Sequence, residues 1–422
     1  MAYLLLPSTG TYVQAVTLTS SWERYIFTFT TDAGQTSFGQ VIPIQDRNAS
    51  GQPTVVEIWG AQLEQRSAVT AYTPTTTQPI TNYIPTLLSA PANTARFDHD
   101  PVTQESLGLL IEEQRTNLAT YAEDFADASW TKTNATITAN TVVAPDGTLT
   151  GDTITATANG ADIRKAPSTT NVTHINSIWI KRRKGTGAVA IRNPQGQSSL
   201  DITSSLTTQW QRFSSLATLP FGGPLAFVGV VVSVSGDEVD VWGAQCEIGS
   251  FSTSYIPTVA SQVTRSADAV SMTGTNFSSW YRQDEGSFYL NGSASNIAEG
   301  RFIEIINASG SPSNYMYLSS KVLEHFVVVS SGVIQVNIDA GTIVANTPVQ
   351  TIAAYQVNNF AVCLDNGAVG LDTFGVLPSD TMNIMRIGFS GFGGRTINGT
   401  IKKLTYFPKR LDNAELVEMT EQ

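Results

Sequence analysis

The chain has 422 residues, a formal net charge of −11 and only 14% charged residues, against roughly a quarter in an ordinary soluble domain. Its 41% hydrophobic content excludes a disordered chain, and its acidic balance argues against a nucleic-acid partner, because phosphate binding needs clustered Lys and Arg. No stretch reaches the ~18 consecutive apolar residues of a membrane helix, so no membrane insertion is expected.

The N-terminal run Met1-Ala2-Tyr3-Leu4-Leu5-Leu6-Pro7 lacks a basic flank and is too short for a signal peptide, so a soluble protein without an export signal of its own is expected. Next comes the aromatic pair of Trp22 and Tyr25, then the tract Val55-Val56-Glu57-Ile58-Trp59-Gly60-Ala61-Gln62-Leu63-Glu64 and a Tyr-x-Pro-Thr exit at Tyr72 to Thr75. The same series returns as Trp210 with Phe213, Val239-Asp240-Val241-Trp242-Gly243-Ala244-Gln245-Cys246-Glu247 and Tyr255 to Thr258. An internal repeat of this kind points to one β-module used twice. Residues 1–79 read as the back half of a jelly roll. Such a half exposes strand edges that a neighbouring subunit or partner protein is expected to cover.

Residues 80–116 read as a proline-containing connector that ends in Leu107-Gly108-Leu109-Leu110-Ile111, a buried-strand pattern, followed by Glu112-Glu113-Gln114-Arg115-Thr116-Asn117. Residues 117–262 form the complete module. Alternation there puts Val239 and Val241 on one face and Asp240 and Trp242 on the other, with Ile178 and Ile180 as a core pair. The basic run Lys181-Arg182-Arg183-Lys184 precedes Gly185 and Gly187 and reads as a solvated strand end. Residues 263–422 lack the repeat and carry their own hairpin signal, Asp365-Asn366-Gly367. One short helix is expected at the C-terminus, where Asp412 and Glu415 have capping-box spacing. The whole is an all-β, multi-domain chain of antiparallel β-sandwiches. Cys246 and Cys363 fall in different modules and form no disulfide framework.

Three stretches resemble parts of tailed-bacteriophage virion fibre, spike and decoration proteins. Leu109 to Asn117 resembles the joint before their carbohydrate-binding-module-like jelly rolls. Trp242-Gly243-Ala244-Gln245 with Thr253-Ser254-Tyr255-Ile256-Pro257-Thr258 resembles the end of such a module. Residues 270–422, closing on Asn398-Gly399-Thr400-Ile401 and Tyr406 to Leu411, resemble a concanavalin A/laminin-G-like sandwich. The resemblance implies a tail fibre or spike protein exposed on the virion, assembled in the host cytoplasm and attached to other virion proteins through its N-terminal region. A homo-oligomer, a trimer, and attachment to a host-surface glycan are expected with it. A purely structural head-decoration or capsid-fibre protein is the alternative, and a fibre-borne glycan depolymerase ranks third.

No catalytic constellation stands out, so no enzyme is expected. His99, His174 and His325 are scattered singly, and the neighbours Glu112-Glu113, Glu123-Asp124 and Asp237-Glu238 read as surface or turn carboxylates. No cofactor is expected beyond a structural calcium at Glu123, Asp124, Asp146 and Asp152. Such an ion takes six to eight oxygen ligands, and no calcium-loop motif is present. Sugars stack on exposed aromatic rings while polar groups catch their hydroxyls. The candidate ligand-binding residues are therefore the unrepeated tryptophans Trp130, Trp179 and Trp280. To these we add Tyr315, Tyr317, Phe392 and Arg395, in stretches rich in Gly, Ser and Asn that read as rim loops.

Overall fold

A computed structural model of the chain describes residues 2–6, 12–16, 24–26, 42–46, 94–100, 105–167, 172–193, 199–217, 227–307, 313–321, 323–393 and 395–421. Most of the 1–79 half-module, including Trp22, the Val55 to Glu64 tract and the Tyr72 to Thr75 exit, lies outside the described residues. The chain divides into two compact units, Met1–Asn82 and Tyr83–Gln422. In the first, Ala2–Leu6 pairs antiparallel with Tyr12–Val16 on one side and Ile42–Asp46 on the other.

The second unit holds two antiparallel sandwiches. In the jelly roll, one five-stranded sheet runs Ser199–Asp201, Val189–Arg192, Val228–Val232, Ala161–Lys165 and Thr131–Thr133. The other runs Gln211–Ala217, His174–Lys184, Glu238–Ile248, Gly151–Ala156 and Ala135–Val142. Val239, Val241, Ile178 and Ile180 meet Ile163, Val230 and Trp130 between the sheets, as the alternation requires. Trp179 and Trp242 sit side by side on the opposite face, where Trp242 meets the Tyr255 ring at 4.5 Å. Gly243, at φ 65°, lies under this cluster. A Cβ there would sit 3.3 Å from the Trp179 and Tyr255 rings in a left-handed conformation that favours glycine. Trp242 and Gly243 thus build a packed corner. The basic run ends its strand as expected, with Lys181, Arg182 and Arg183 paired to Asp240, Asp237 and Glu238 at 3.4–3.7 Å.

The terminal sandwich has a six-stranded sheet in the order Val270–Thr273, Ile384–Ile387, Arg301–Ile306, Tyr315–Ser319, Leu323–Ser330 and Val333–Thr342. Its seven-stranded partner runs Gly370–Asp372, Phe360–Leu364, Val349–Gln356, Glu285–Ala294, Gly399–Phe407, Ser106–Ile111 and Phe97–His99. The last two strands come from the 80–116 connector, which is therefore also part of this sandwich. Topologically, the jelly roll is inserted between Ile111 and Val270. Gly108 makes the close approach possible: at φ 106° it faces the Ile401 carbonyl, where a Cβ would sit only 2.3 Å from the oxygen.

The helix Asn413–Met419 has the expected capping box, Glu415 N–H donating to Asp412 (2.9 Å) and Asp412 N–H to Glu415 (2.8 Å). It buries Leu416 with Leu411 against Tyr289, Ile352 and Ala361, on the side of the seven-stranded sheet away from the main core. A second, one-turn helix, Thr275–Ser278, adds to the single helix expected.

The root of the insertion is a buried charged joint. Glu112, expected at a surface or turn, is only 5% exposed. Its Oε2 lies 2.8 Å from both Arg96 Nη1 and Arg265 Nη1 and accepts from Ser254 Oγ (2.5 Å). Its Oε1 accepts from Ser254 N–H at 2.7 Å. Asp268 completes the set by pairing with Arg96 and accepting the Glu112 N–H. Burial pushes the Glu112 carboxyl up, but Arg265, Arg96 and the two Ser254 hydrogen bonds bring it below the usual carboxylate range. Asn117 secures the jelly-roll side, donating to the Ala244 and Ile256 carbonyls and accepting from Cys246 and Ala119 N–H. The Glu112 to Asn117 motif thus joins two sandwiches through buried polar bonds.

Candidate functional site

The outward side of the six-stranded sheet brings together three of the aromatic and charged candidates. On neighbouring strands, Arg386, Glu304 and Tyr317 stand in one row, while Ile303, Ile305, Met316 and Leu318 turn into the core. The sequence Tyr315-Met316-Tyr317-Leu318 alternates, so both tyrosines share the outward side. They are strand residues, not the loop residues expected, and their rings stack at 5.9 Å with 20° between planes. Phe392, from the irregular segment after Ile384–Ile387, closes on Tyr315 at 5.9 Å.

Arg301 forms the centre of this group. A register shift between Arg301 and Ile303 lets consecutive Phe302 and Ile303 both enter the core, and the bulge aims the arginine outward. Its guanidinium carbon lies 3.9 Å from the Tyr317 ring centre, 5.3 Å from Tyr315 and 5.9 Å from Phe392. Such cation–π contacts contribute about 0.5–2 kcal/mol each, more when desolvated. Arg301 Nη1 also donates to Glu304 Oε1 at 3.0 Å, and Arg386 Nη1 stands 3.6 Å from the same oxygen. Glu304 is fully buried, yet its Oε2 has no hydrogen-bond partner among the described residues, and neither does Arg386 Nη1. Burial lowers the Arg301 guanidinium below its ordinary value against the pull of Glu304, and burial raises the Tyr317 hydroxyl against the nearby Arg301.

Arg395 stands at the rim. Its side chain is 34% exposed, and its only described carboxylate contact is Glu299 at 3.8 Å. Its charge acts on both Arg301 and Tyr317. The group is therefore a half-exposed aromatic surface over a partly compensated arginine cluster. Arg301, Glu304 and Arg386 were not among the sequence candidates. The signal that marks them is one carboxylate amid the apolar run Phe302-Ile303-Glu304-Ile305-Ile306.

Two of the three tryptophan candidates are buried and need correction. Trp130 is 2% exposed in the jelly-roll core, with its indole N–H donating to the Tyr121 carbonyl, so its ring faces meet protein. Trp179 is 7% exposed and buried with Trp242 and Tyr255. Trp280 is half-exposed, with Phe277 and Tyr406 at 5.0 and 4.9 Å, and it makes no ring contact with Tyr315, Tyr317 or Phe392. None of the three joins Tyr315, Tyr317 and Phe392.

The four carboxylates considered for calcium are engaged by the chain's own donors. Asp152 accepts from the Phe125 and Asn140 N–H groups, Asp124 from Ala126 and Asp127, Asp146 from Thr148, and Glu123 from the Tyr255 hydroxyl. No three metal-ligating side chains gather among the described residues. Of the histidines, His174 is buried, and His325 Nδ1 sits 2.6 Å from Asp339.

The fold and this site define a β-sandwich protein with an arginine–aromatic surface on its terminal module. No family model and no curated protein matches the chain. Among solved structures, a heptameric pentraxin from Limulus polyphemus is similar at 10% identity and a TM-score of 0.25, over 33% of this chain and 70% of that one. Domains LG4-5 of the mouse laminin alpha1 chain align at 8% identity and 0.26, over 62% and 88%. The tandem CBM22 domains of Xyn10C from Paenibacillus barcinonensis align at 9% and 0.24, over 65% and 96%. Similarity at this level carries no argument about ligand, and the sandwich architecture rests on the strand pairing itself.

Proposed function

We propose that the chain is a non-enzymatic glycan-binding protein, with Tyr315, Tyr317 and Phe392 as its sugar-stacking surface. The observation that carries this reading is their convergence, half-exposed, around Arg301 on one side of the six-stranded sheet. Aromatic rings offer the apolar faces that pyranose C–H groups stack on, and neighbouring guanidinium groups supply donors for ring oxygens and hydroxyls. On the seven-stranded sheet, the C-terminal helix covers part of the outward side and buries Tyr289 there.

The likeness of Leu109 to Asn117 and of the Trp-Gly-Ala-Gln tract to phage virion proteins supports a place on a virion fibre or spike, attached through the N-terminal region. In that setting the chain is a homotrimer that meets the host surface. Copy number then supplies affinity, since linked weak sites gain about 10²–10⁴ in avidity.

A glycan array probed with the full chain and with Tyr315→Ala and Tyr317→Ala tests the reading. Binding by the parent that both variants lose is expected. No binding to any glycan would leave the structural reading, a decoration or fibre-sheath module. Shortening of a host polysaccharide would replace both with the depolymerase.

A further inference from the structure

We infer that the sugar bound on this sheet is anionic, carrying a carboxylate or a sulfate; this rests on the glycan-binding reading above. The charge balance of the cluster points to it. Arg301, Arg386 and Arg395 face two carboxylates, and the two are not equivalent. Glu304 is sealed beneath the rings, where one of its oxygens already serves two arginines. Glu299 is 62% exposed and 3.8 Å from Arg395 Nε, a solvent-screened pairing of little energetic weight. The cluster therefore keeps a net positive charge, and its outermost guanidinium is free to exchange Glu299 for another anion. A guanidinium fork matches a carboxylate or sulfate in a bidentate way that a neutral hydroxyl cannot reproduce.

The rest of the molecule makes the inference specific. With a net charge of −11, the chain repels a polyanion at long range, so any preference for one must come from a local site. The rings position the pyranose, and Arg395, about a third exposed at the rim, reads its acidic group.

Two matched probe pairs test this with the full chain: dextran against dextran sulfate, and oligogalacturonate against its methyl ester. The acidic member of at least one pair is expected to bind about tenfold more tightly, a preference that weakens with salt. The pair showing it distinguishes sulfate from carboxylate. Arg395→Gln should remove the preference with an unchanged thermal melt, and Glu299→Gln, which removes the competing carboxylate, should strengthen it a few-fold. Equal affinity within both pairs, or a preference that neither substitution moves, overturns the inference. So does acidic binding that survives Tyr317→Ala, because it would be ring-independent polyanion attraction. Binding of neutral sugars alone defeats the anionic inference and leaves the glycan reading standing, whereas silence across a wider glycan array defeats that reading itself.

Discussion

Glu112 and Glu304 both lie buried among arginines in the Tyr83–Gln422 unit, and their surroundings differ in a telling way. At the joint, Arg96 and Arg265 face Glu112 and Asp268, so charges balance, and both Glu112 oxygens are bonded. Loose ends there are confined to the donor side: Arg265 Nε and Nη1 have no hydrogen-bond partner among the described residues, although Nη1 lies 2.8 Å from Glu112 Oε2. Under the tyrosines, Glu304 uses one oxygen for two arginines and leaves the other without a partner, with a third arginine at the rim. The first cluster balances its charges around a carboxylate with both oxygens engaged, and it holds two sandwiches together. The second is open on its positive side. The buried carboxylate with both oxygens engaged is a structural device, whereas the unmatched charge beside half-exposed rings is what the proposed glycan surface rests on.

The comparison can be broken most forcefully at the joint. Glu112→Ala leaves two arginines buried without their shared carboxylate, and the loss of stability should be about 3–5 kcal/mol. Denaturant unfolding would measure it, and a loss below about 1 kcal/mol would show that the joint relaxes without its centre. Next in size is Trp130→Ala. Removing an indole from the jelly-roll core should cost about 3 kcal/mol and leave glycan affinity unchanged. A loss of binding with an intact melt would return Trp130 to the list of ligand residues.

Acid sharpens the contrast. The folded Glu112 carboxyl lies below its ordinary value, so its stabilisation is complete above the unfolded carboxylate pKa and is lost as pH falls through the lower folded value. Unfolding followed from neutral pH downward should therefore show a decline that is smaller in Glu112→Gln. Parallel pH profiles for the two proteins would remove Glu112 as its source. The smallest effect concerns the helix on the seven-stranded sheet: Asp412→Ala breaks the capping box and should cost about 1 kcal/mol, with no effect on binding.

Much of this was legible from local pattern. Val239/Val241 and Ile178/Ile180 fell on the core side because a strand's period of two admits no other arrangement once one side is buried. Asp412 and Glu415 marked the helix start because a capping box is satisfied within four residues. What depends on distant pairing stayed hidden. The Ser106–Ile111 strand pairs with Gly399–Phe407 across the whole inserted jelly roll, and no local signal carries such a contact.

The tryptophans misled because a strand residue's period gives its side but not what covers that side. Trp179 does point away from the jelly-roll core, yet Trp242 and Tyr255 bury it. Tyr315 and Tyr317 were read as loop residues, although their alternation with Met316 and Leu318 already placed both on one side of a strand. Arg301 escaped because its outward direction depends on the bulge beside Phe302, where simple alternation would turn it to the core.

Calorimetric titration of the full chain and of Tyr317→Ala with the tightest-binding glycan tests the central claim most directly. At least a tenfold loss of affinity, about 1.4 kcal/mol, is expected with an unchanged thermal melt. An affinity that Tyr317→Ala leaves untouched would contradict it.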